Sequence, residues 1–214
     1  MSDLFASQQH GTRTVLSTQA CVLHGFALGK VDALLGDIER IEAVAPFRHL
    51  VTRRGHMMQV AMTNCGTVGW LSDRRGYRYD ARDPQTGEPW PSLPSAFLRL
   101  ARDAASEAGF DAYVPDACLI NRYAPGTRLS LHQDRDEDDR VAPIVSVSLG
   151  LPATFLFGGF ARTDPTVRVP LLHGDVVVWG GGDRMRFHGV LPVKPGRHEV
   201  LRGQRINLTF RKVK

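Results

Sequence analysis

Within the stretch RLSLHQDRDE (residues 128–137), one residue separates a histidine from an aspartate, His132-Gln133-Asp134. If the apolar approach through Leu131 is extended, residues i and i+2 share a strand face. His132 and Asp134 then project together while Gln133 points away. An imidazole and a carboxylate so placed can fill adjacent positions on a divalent metal. A third ligand from another strand would complete a two-His-one-carboxylate triad with three positions open. His-x-Asp also arises by chance, and a surface histidine stays open as the alternative from this motif alone. Among the downstream histidines, His173 precedes Gly174-Asp175 and reads as a turn, and His198 in KPGRHEV reads as a polar loop residue. His188 in RMRFHGVLPV falls in an expected strand after Trp179-Gly-Gly-Gly182 and is the best placed of the three.

The last strand, RINLTFR, alternates Ile206, Leu208 and Phe210 with Arg205, Asn207, Thr209 and Arg211. A strand with one solvated face explains that pattern. So does a carboxylate receptor, because guanidinium groups bind carboxylates bidentately. In ACLINRY, Asn121 and Tyr123 share a face as two neutral hydrogen-bonding groups. If these strands line one cavity, it holds a metal at one wall and carboxylate donors at another, which suits a dicarboxylate that chelates iron.

The elements that must position these groups are legible in outline. Val31, Leu34, Leu35, Ile38 and Ile41 have helical spacing over residues 30–44, ending before Pro46. A second helix is expected over 95–108, with Ser95 as N-cap and Gly109 as the stop. Between them lies an Arg-, Gly- and Pro-rich segment with one expected strand over 57–62, the composition of a binding lid or mobile loop. After Pro115 come eight short runs separated by Gly, Pro and Asp: ACLINRY, RLSLHQD, PIVSVSLG, ATFLFGG, VRVPLL, DVVVWGG, RFHGVLPV and RINLTFRKV. They read as a jelly roll or barrel, a β-sandwich carrying an α/β N-terminal part.

With 214 residues, 43% hydrophobic and 23% charged, the chain fits one globular domain with a sizeable core. It has no apolar run of about 18 residues, so no membrane span is expected. The start, MSDLFASQQHGTRT, lacks the pattern of a secretory signal. Cys21, Cys65 and Cys118 are far apart and form no Cys-x-x-Cys, so a reducing cytoplasm is expected. The net charge of +5 is concentrated. Arg53, Arg54, Arg74, Arg75, Arg78 and Arg82 face only Asp73 and Asp80 between Val51 and Arg82. Arginine suits phosphate, although a solvated basic surface has the same composition.

PDACLINRYAPGTRLSLHQDRDE, APIVSVSLGLPATFLFGG, HGDVVVWGG, RFHG and RINLTFR together resemble the AlkB family of iron(II)- and 2-oxoglutarate-dependent dioxygenases, closest to its bacterial DNA-repair members. AMTNCGTVGW and RGYRYDARDPQTGEPWP resemble that family's nucleotide-recognition lid, and the similarity runs from about Asp3 to Arg211. The resemblance implies an α+β fold, a double-stranded β-helix (jelly roll) with N-terminal helices and a lid. It divides one dioxygenase domain over 1–214 into a helical extension (1–44), the lid (45–94) and the jelly-roll core (115–214). It implies His132, Asp134 and His188 as iron ligands. Asn121, Tyr123, Leu129, Arg205, Asn207 and Arg211 would hold 2-oxoglutarate, with Arg211 on its far carboxylate. Trp70, Tyr77, Arg78, Tyr79, Asp136 and Arg162 would hold the damaged nucleotide, the base lying between Trp70 and His132 with Asp136 facing a cationic ring. His56 and the Arg53-Arg54 pair stand where the compared member differs, so lid contacts there do not carry over.

The implied activity is oxidative demethylation of bases such as 1-methyladenine and 3-methylcytosine in DNA, with RNA as a second polymer. It consumes oxygen and 2-oxoglutarate and releases formaldehyde and succinate. A monomer acting on single- and double-stranded DNA is expected. The acids beyond Asp134 and Asp136 read as solvated, Met57, Met58 and Met62 as packing residues, Trp90 and Trp179 as structural, and Phe155 and Phe157 as core. Three rivals stay open: a related hydroxylase or demethylase of RNA or protein, a zinc hydrolase using the same three ligands, and a non-enzymatic sandwich that binds nucleic acid.

Overall fold

All eight runs after Pro115 form strands in the computed structural model, which describes residues 11–214. They are β7 (Ala117–Tyr123), β8 (Leu129–His132), β9 (Ile144–Gly150), β10 (Ala153–Phe157), β11 (Val167–Leu171), β12 (Val176–Trp179), β13 (His188–Val190) and β14 (Arg205–Arg211). Upstream lie β1 (Arg13–Ser17), β2 (Ala20–Leu23), α1 (Val31–Val44), β3 (Arg48–Val51), β4 (Met57–Gly66), β5 (Gly69–Asp73), β6 (Gly76–Asp80) and α2 (Ser95–Glu107). The larger sheet has the order β1-β2-β12-β9-β14-β7-β4-β3 and the smaller β11-β10-β13-β8, while β5 and β6 pair only with each other.

Two apolar layers explain the alternation in the strands. Ile206, Leu208 and Phe210 of β14 pack with Leu34, Ile38 and Ile41 of α1 and Phe97, Leu100 and Ala104 of α2. On the other face of the larger sheet, Tyr123, Ile144 and Trp179 pack with Phe155, Val169 and Val190 of the smaller sheet. The interior of this sandwich is therefore where the second face of β14 points. Every residue of β14 is buried, including Arg205, Asn207, Thr209 and Arg211. A solvated outer face is thereby excluded as the reason for the alternation.

Three expectations need correction. Residues 1–44 are not a purely helical extension, because β1 and β2 form a hairpin that extends the larger sheet through β2–β12 pairing. Met1–His10, where the reading of the chain start falls, lie outside the described residues. Residues 45–94 are not all lid, since β4 pairs along β7 from Ala61↔Arg122 to Gly66↔Ala117. The fully buried half of β4 needs that neighbour to satisfy its backbone. The β5–β6 hairpin stands outside both of the larger sheets. Ser95 is the first helical residue rather than the cap, as Pro94 takes the extended conformation at that position. Gly109, at φ +90, stops α2 as expected.

No helix among the described residues is long and apolar enough to cross a membrane. The three cysteines are free and buried, although Cys65 and Cys118 are cross-strand partners.

Candidate active site

β8 and β13 are the strands that set the candidate metal ligands, and their register places His132 opposite His188. Gly189 permits this pairing, since a Cβ there would lie 2.8 Å from the Leu129 carbonyl oxygen. β8 ends at His132, so Asp134 follows the strand rather than continuing it. The chain turns there because the Gln133 amide donates to the Met185 carbonyl, while Arg184 Nη1 donates to the Asp134 carbonyl at 3.2 Å. The two side chains still converge. Asp134 Oδ1 lies 3.5 Å from His132 Nε2 and 3.8 Å from His188 Nε2, and one ligand atom from each residue falls within 4.8 Å of the others.

The ring orientations suit a metal. His132 Nδ1 donates to the Ser130 carbonyl at 2.9 Å, and His188 Nδ1 donates to the Arg186 carbonyl at 3.1 Å. Carbonyl oxygens only accept, so each Nδ1 carries the proton and each Nε2 offers a lone pair. Burial and the neighbouring His132 push His188 down to about 3, which keeps it neutral and ligating. Burial alone would raise Asp134, but Arg211, His188 and His132 outweigh it and hold the carboxyl well below its usual range. Two neutral imidazoles and one carboxylate are a donor set that fits iron(II).

The inner wall is a patch of polar side chains in a cavity of about 800 Å³. β14 lies between β9 and β7, with Asn207 opposite both Ser148 and Asn121, and Arg205 opposite Tyr123. Asn207 Nδ2 donates to Ser146 Oγ at 2.8 Å and to the Val147 carbonyl at 3.0 Å, and its Oδ1 accepts from Thr209 and Asn121. Arg205 is 1% exposed and sits 5.0 Å from the Tyr123 ring centre. Its Nη2 donates to Ser148 Oγ at 3.0 Å, but among the described residues Nε and Nη1 have no partner, nor does Asn121 Oδ1. Buried donors left unpaired cost stability, and a guanidinium fork in a cavity matches a carboxylate in shape and charge. These orphaned groups fit a dicarboxylate.

Arg211 does not fit the far-carboxylate role expected for it. Its Nε and Nη2 lie 2.9 and 2.8 Å from Asp134 Oδ2, and Nε lies 3.2 Å from Glu137 Oε1. Its guanidinium is committed beside the metal ligands, and the free fork is that of Arg205, six positions earlier on the same strand.

Glu137 is the second correction. It is 3% exposed, paired with Arg211 and Arg184, and accepts the Tyr79 hydroxyl at 2.6 Å. It is not a solvated acid; two buried guanidiniums require a second carboxylate besides Asp134. Asp138 is exposed, and Asp139 accepts the Val141 and Ala142 amides as a turn residue.

The β5–β6 hairpin forms the outer wall. The Asn64 side chain clamps the Trp70 backbone, accepting from its N–H at 3.0 Å and donating to its carbonyl at 3.1 Å. Ser72 Oγ donates to the Val51 carbonyl at 2.6 Å. Gly69 lies against the Trp90 indole so closely that a Cβ would collide with the ring. On this footing Trp70 stacks on Tyr77 at 5.5 Å, and its Nε1 donates to Asp136 Oδ2 at 2.9 Å.

Trp70, Tyr77, Asp136 and Arg162 all border the cavity with His132, and all six residues expected to hold 2-oxoglutarate border it too. Arg78 and Tyr79 do not. Arg78 pairs with Asp73 at 2.9 Å, and Tyr79 is turned to Glu137. Met62 is buried, but Met57 is 69% exposed at the cavity mouth and is not a packing residue. Trp90 is structural, whereas Trp179 both fills core and meets the His188 ring at 4.9 Å, its Nε1 without a partner among the described residues. Ser146 and Ser148 were missed, although two serines at i and i+2 in the apolar run IVSVSLG signal a polar patch on one strand face.

Comparison with known proteins agrees with this geometry. The sequence profile of the 2OG-Fe(II) oxygenase superfamily matches residues 19–211. The chain is 54% identical to the alpha-ketoglutarate-dependent dioxygenase AlkB of Salmonella typhimurium and 53% identical to that of Escherichia coli K12. Each match covers 99% of this chain and 97% of the relative. A solved structure of OsALKBH1 superposes with a TM-score of 0.79 at 29% identity, covering 94% of this chain and 99% of that one.

Proposed function

The chain belongs to the AlkB family of the 2OG-Fe(II) oxygenase superfamily, and we propose that it demethylates N-alkylated bases such as 1-methyladenine and 3-methylcytosine in DNA, with RNA as a second polymer. It is an iron(II)- and 2-oxoglutarate-dependent dioxygenase. The observation that carries the reading is the convergence on one cavity of the His132-Asp134-His188 donors, an aromatic wall and the Arg205 fork, whose Nε and Nη1 have no partner among the described residues.

Iron(II), when bound, supplies the oxidation: oxygen and 2-oxoglutarate convert an N-methyl group to N-hydroxymethyl with release of succinate and carbon dioxide, and the hydroxymethyl group falls off as formaldehyde. His132, Asp134 and His188 would hold the metal. Arg205 would take the far carboxylate of 2-oxoglutarate, with Tyr123 beneath the guanidinium and Asn121 and Asn207 along the chain of the acid. Arg211 keeps Asp134 ionised and fixed. Leu129 and Val190, opposite each other in β8 and β13, supply apolar wall.

A flipped base would stack on Trp70, and loss of pairing lowers the cost of extracting a methylated base. Asp136, oriented by Trp70 Nε1, puts a negative charge beside a ring that methylation has made cationic. A zinc hydrolase would leave the buried Arg205 fork without a purpose. We further propose that residues 1–214 act as one domain, as a monomer, in a reducing cytoplasm.

The test is mass spectrometry of an oligonucleotide carrying one 1-methyladenine, incubated with the iron-loaded protein, oxygen and 2-oxoglutarate. Loss of one methyl group is expected; persistence of the methylated mass with correctly loaded protein overturns the reading.

A further inference from the structure

Of the three candidate metal ligands, Asp134 alone lies outside a strand. His132 ends β8 and His188 opens β13, so the register between those strands fixes both backbones. Residues 133–143 belong to no strand. Buried carbonyls on such a segment need donors from elsewhere. The stretch GGGDRMRFHG, residues 180–189, supplies them. Gly180 approaches Pro143 so closely that a Cβ would lie 2.7 Å from the proline Cα. A short 3-10 turn follows over Gly181–Asp183. Asp183 fastens that turn outward to the β1–β2 hairpin, its Oδ2 accepting the Ser17 hydroxyl at 2.6 Å and the Gln19 amide at 2.7 Å.

Arg184 reaches inward from the same turn and is 1% exposed. Its Nε donates to the Ala142 carbonyl at 3.2 Å, Nη1 donates to the Asp134 carbonyl at 3.2 Å, and Nη2 lies 3.3 Å from Glu137 Oε2. The next two residues serve the neighbouring groups. The Met185 carbonyl accepts the Gln133 side-chain amide, and the Arg186 carbonyl accepts His188 Nδ1 at 3.1 Å. Residues 184–186 therefore touch both the HQD segment and His188. Asp134 is held twice, since Arg211 grips Oδ2 at 2.8 Å while Arg184 holds the backbone carbonyl. With both ends fixed, Oδ1 is aimed at the histidines, 3.8 Å from His188 Nε2. Held at Oδ2 alone, the Asp134 backbone would be free to shift and turn Oδ1 away.

We propose that Arg184 is a positioning residue for the metal. It ties the Asp134 backbone to the turn that orients the His188 ring, and so sets the spacing of those two ligands. The inference rests on the iron reading of this site and adds what holds its geometry. The competing role is charge balance alone, with Arg184 present only to neutralise buried Glu137. The two roles part when Glu137 loses its charge as well. Charge balance then no longer needs Arg184, whereas the Asp134 carbonyl still does.

The experiment titrates cobalt(II), a spectroscopic substitute for iron(II), into the full chain and follows its visible ligand-field absorption. Arg184→Met, Glu137→Gln, the double variant and Arg184→Lys are compared with the wild type, and urea titration establishes that each is folded under the assay conditions. Arg184→Met should weaken cobalt binding about 10- to 100-fold, the usual cost of losing a group that orients a metal ligand, and should shift the bands. Glu137→Gln leaves the contact to the Asp134 carbonyl in place and should keep the wild-type bands. The double variant leaves no unpaired carboxylate to disturb folding, and it should show the weak binding and shifted bands of Arg184→Met. Arg184→Lys keeps the charge and one donor group and should recover part of the affinity. Wild-type affinity and bands in the double variant overturn the positioning role. A loss in Glu137→Gln equal to that in Arg184→Met would assign the effect to the ion pair and overturn it as well. If the wild type itself takes up no cobalt, the metal assignment fails and this inference fails with it.

Discussion

At the inner end of the cavity, Asn121, Arg205, Asn207 and Arg211 stand on β7 and β14, central strands of an eight-stranded sheet. At the outer end, Trp70 and Tyr77 stand on a hairpin that joins neither larger sheet and is held by Asn64, Ser72 and the packing of Gly69 on Trp90. The inner groups are fixed by register on both sides, so their geometry cannot vary without disturbing the core. The outer groups depend on a few local hydrogen bonds, so substitutions there can retune affinity while leaving the sandwich intact. Under the proposed function, chemistry and substrate choice are thus placed on structures of different rigidity.

The comparison breaks first if the inner end tolerates loss of charge. Asp134→Ala should abolish iron loading and turnover, a loss of at least about a thousandfold. It should also destabilise the protein by about 3–5 kcal/mol in urea titration, because buried Arg211 loses the carboxylate that holds its Nε and Nη2 and keeps only its contact with Glu137. Normal turnover by this variant would contradict the metal assignment.

Arg205 and Arg211 should then separate from each other. Arg205→Ala removes a guanidinium whose Nε and Nη1 lack partners among the described residues and whose Nη2 bonds only Ser148, so the ligand-free protein should lose little stability. The half-saturating 2-oxoglutarate concentration should rise about a hundredfold, the loss of a desolvated charge pair. Arg211→Ala should instead unfold at markedly lower urea, since Asp134 and Glu137 lose their shared cation. Equal stability losses in the two variants would remove the distinction.

At the outer end, Trp70→Ala should weaken binding of a methylated oligonucleotide by about 10- to 100-fold, as loss of one stacking surface worth roughly 1–3 kcal/mol predicts. Its 2-oxoglutarate requirement should not change; a parallel rise in both would mean that the two ends are coupled. The smallest effect expected is for Tyr79→Phe, which deletes the hydrogen bond to Glu137 and should cost about 1–2 kcal/mol of stability.

Much of the inner end was legible in the sequence because strand periodicity reports a face. RINLTFR and ACLINRY alternate cleanly, and the eight runs after Pro115 all became strands. What alternation could not report was which charged groups neutralise one another. Glu137 lies outside any strand, so its burial depends on Arg184 and Arg211 arriving from distant segments. Nor could alternation show that the Arg211 guanidinium is engaged by Asp134 and Glu137. The arginine cluster was visible, but only the fold shows that Asp73 and Asp83 neutralise three of the neighbouring arginines and leave Arg53, Arg54 and Arg74 without a carboxylate partner among the described residues. The β1–β2 hairpin was hidden because its pairing partner, β12, lies more than 150 residues away.

The central claim is that one cavity couples 2-oxoglutarate oxidation to removal of a methyl group from a base. Succinate and formaldehyde should be counted in the same reaction, with iron-loaded protein, oxygen, 2-oxoglutarate and an oligonucleotide bearing one 1-methyladenine. Equal amounts of the two products, both dependent on the methylated base, are predicted. Demethylation without succinate, or succinate that forms at the same rate on an unmethylated oligonucleotide with no formaldehyde, would contradict the account.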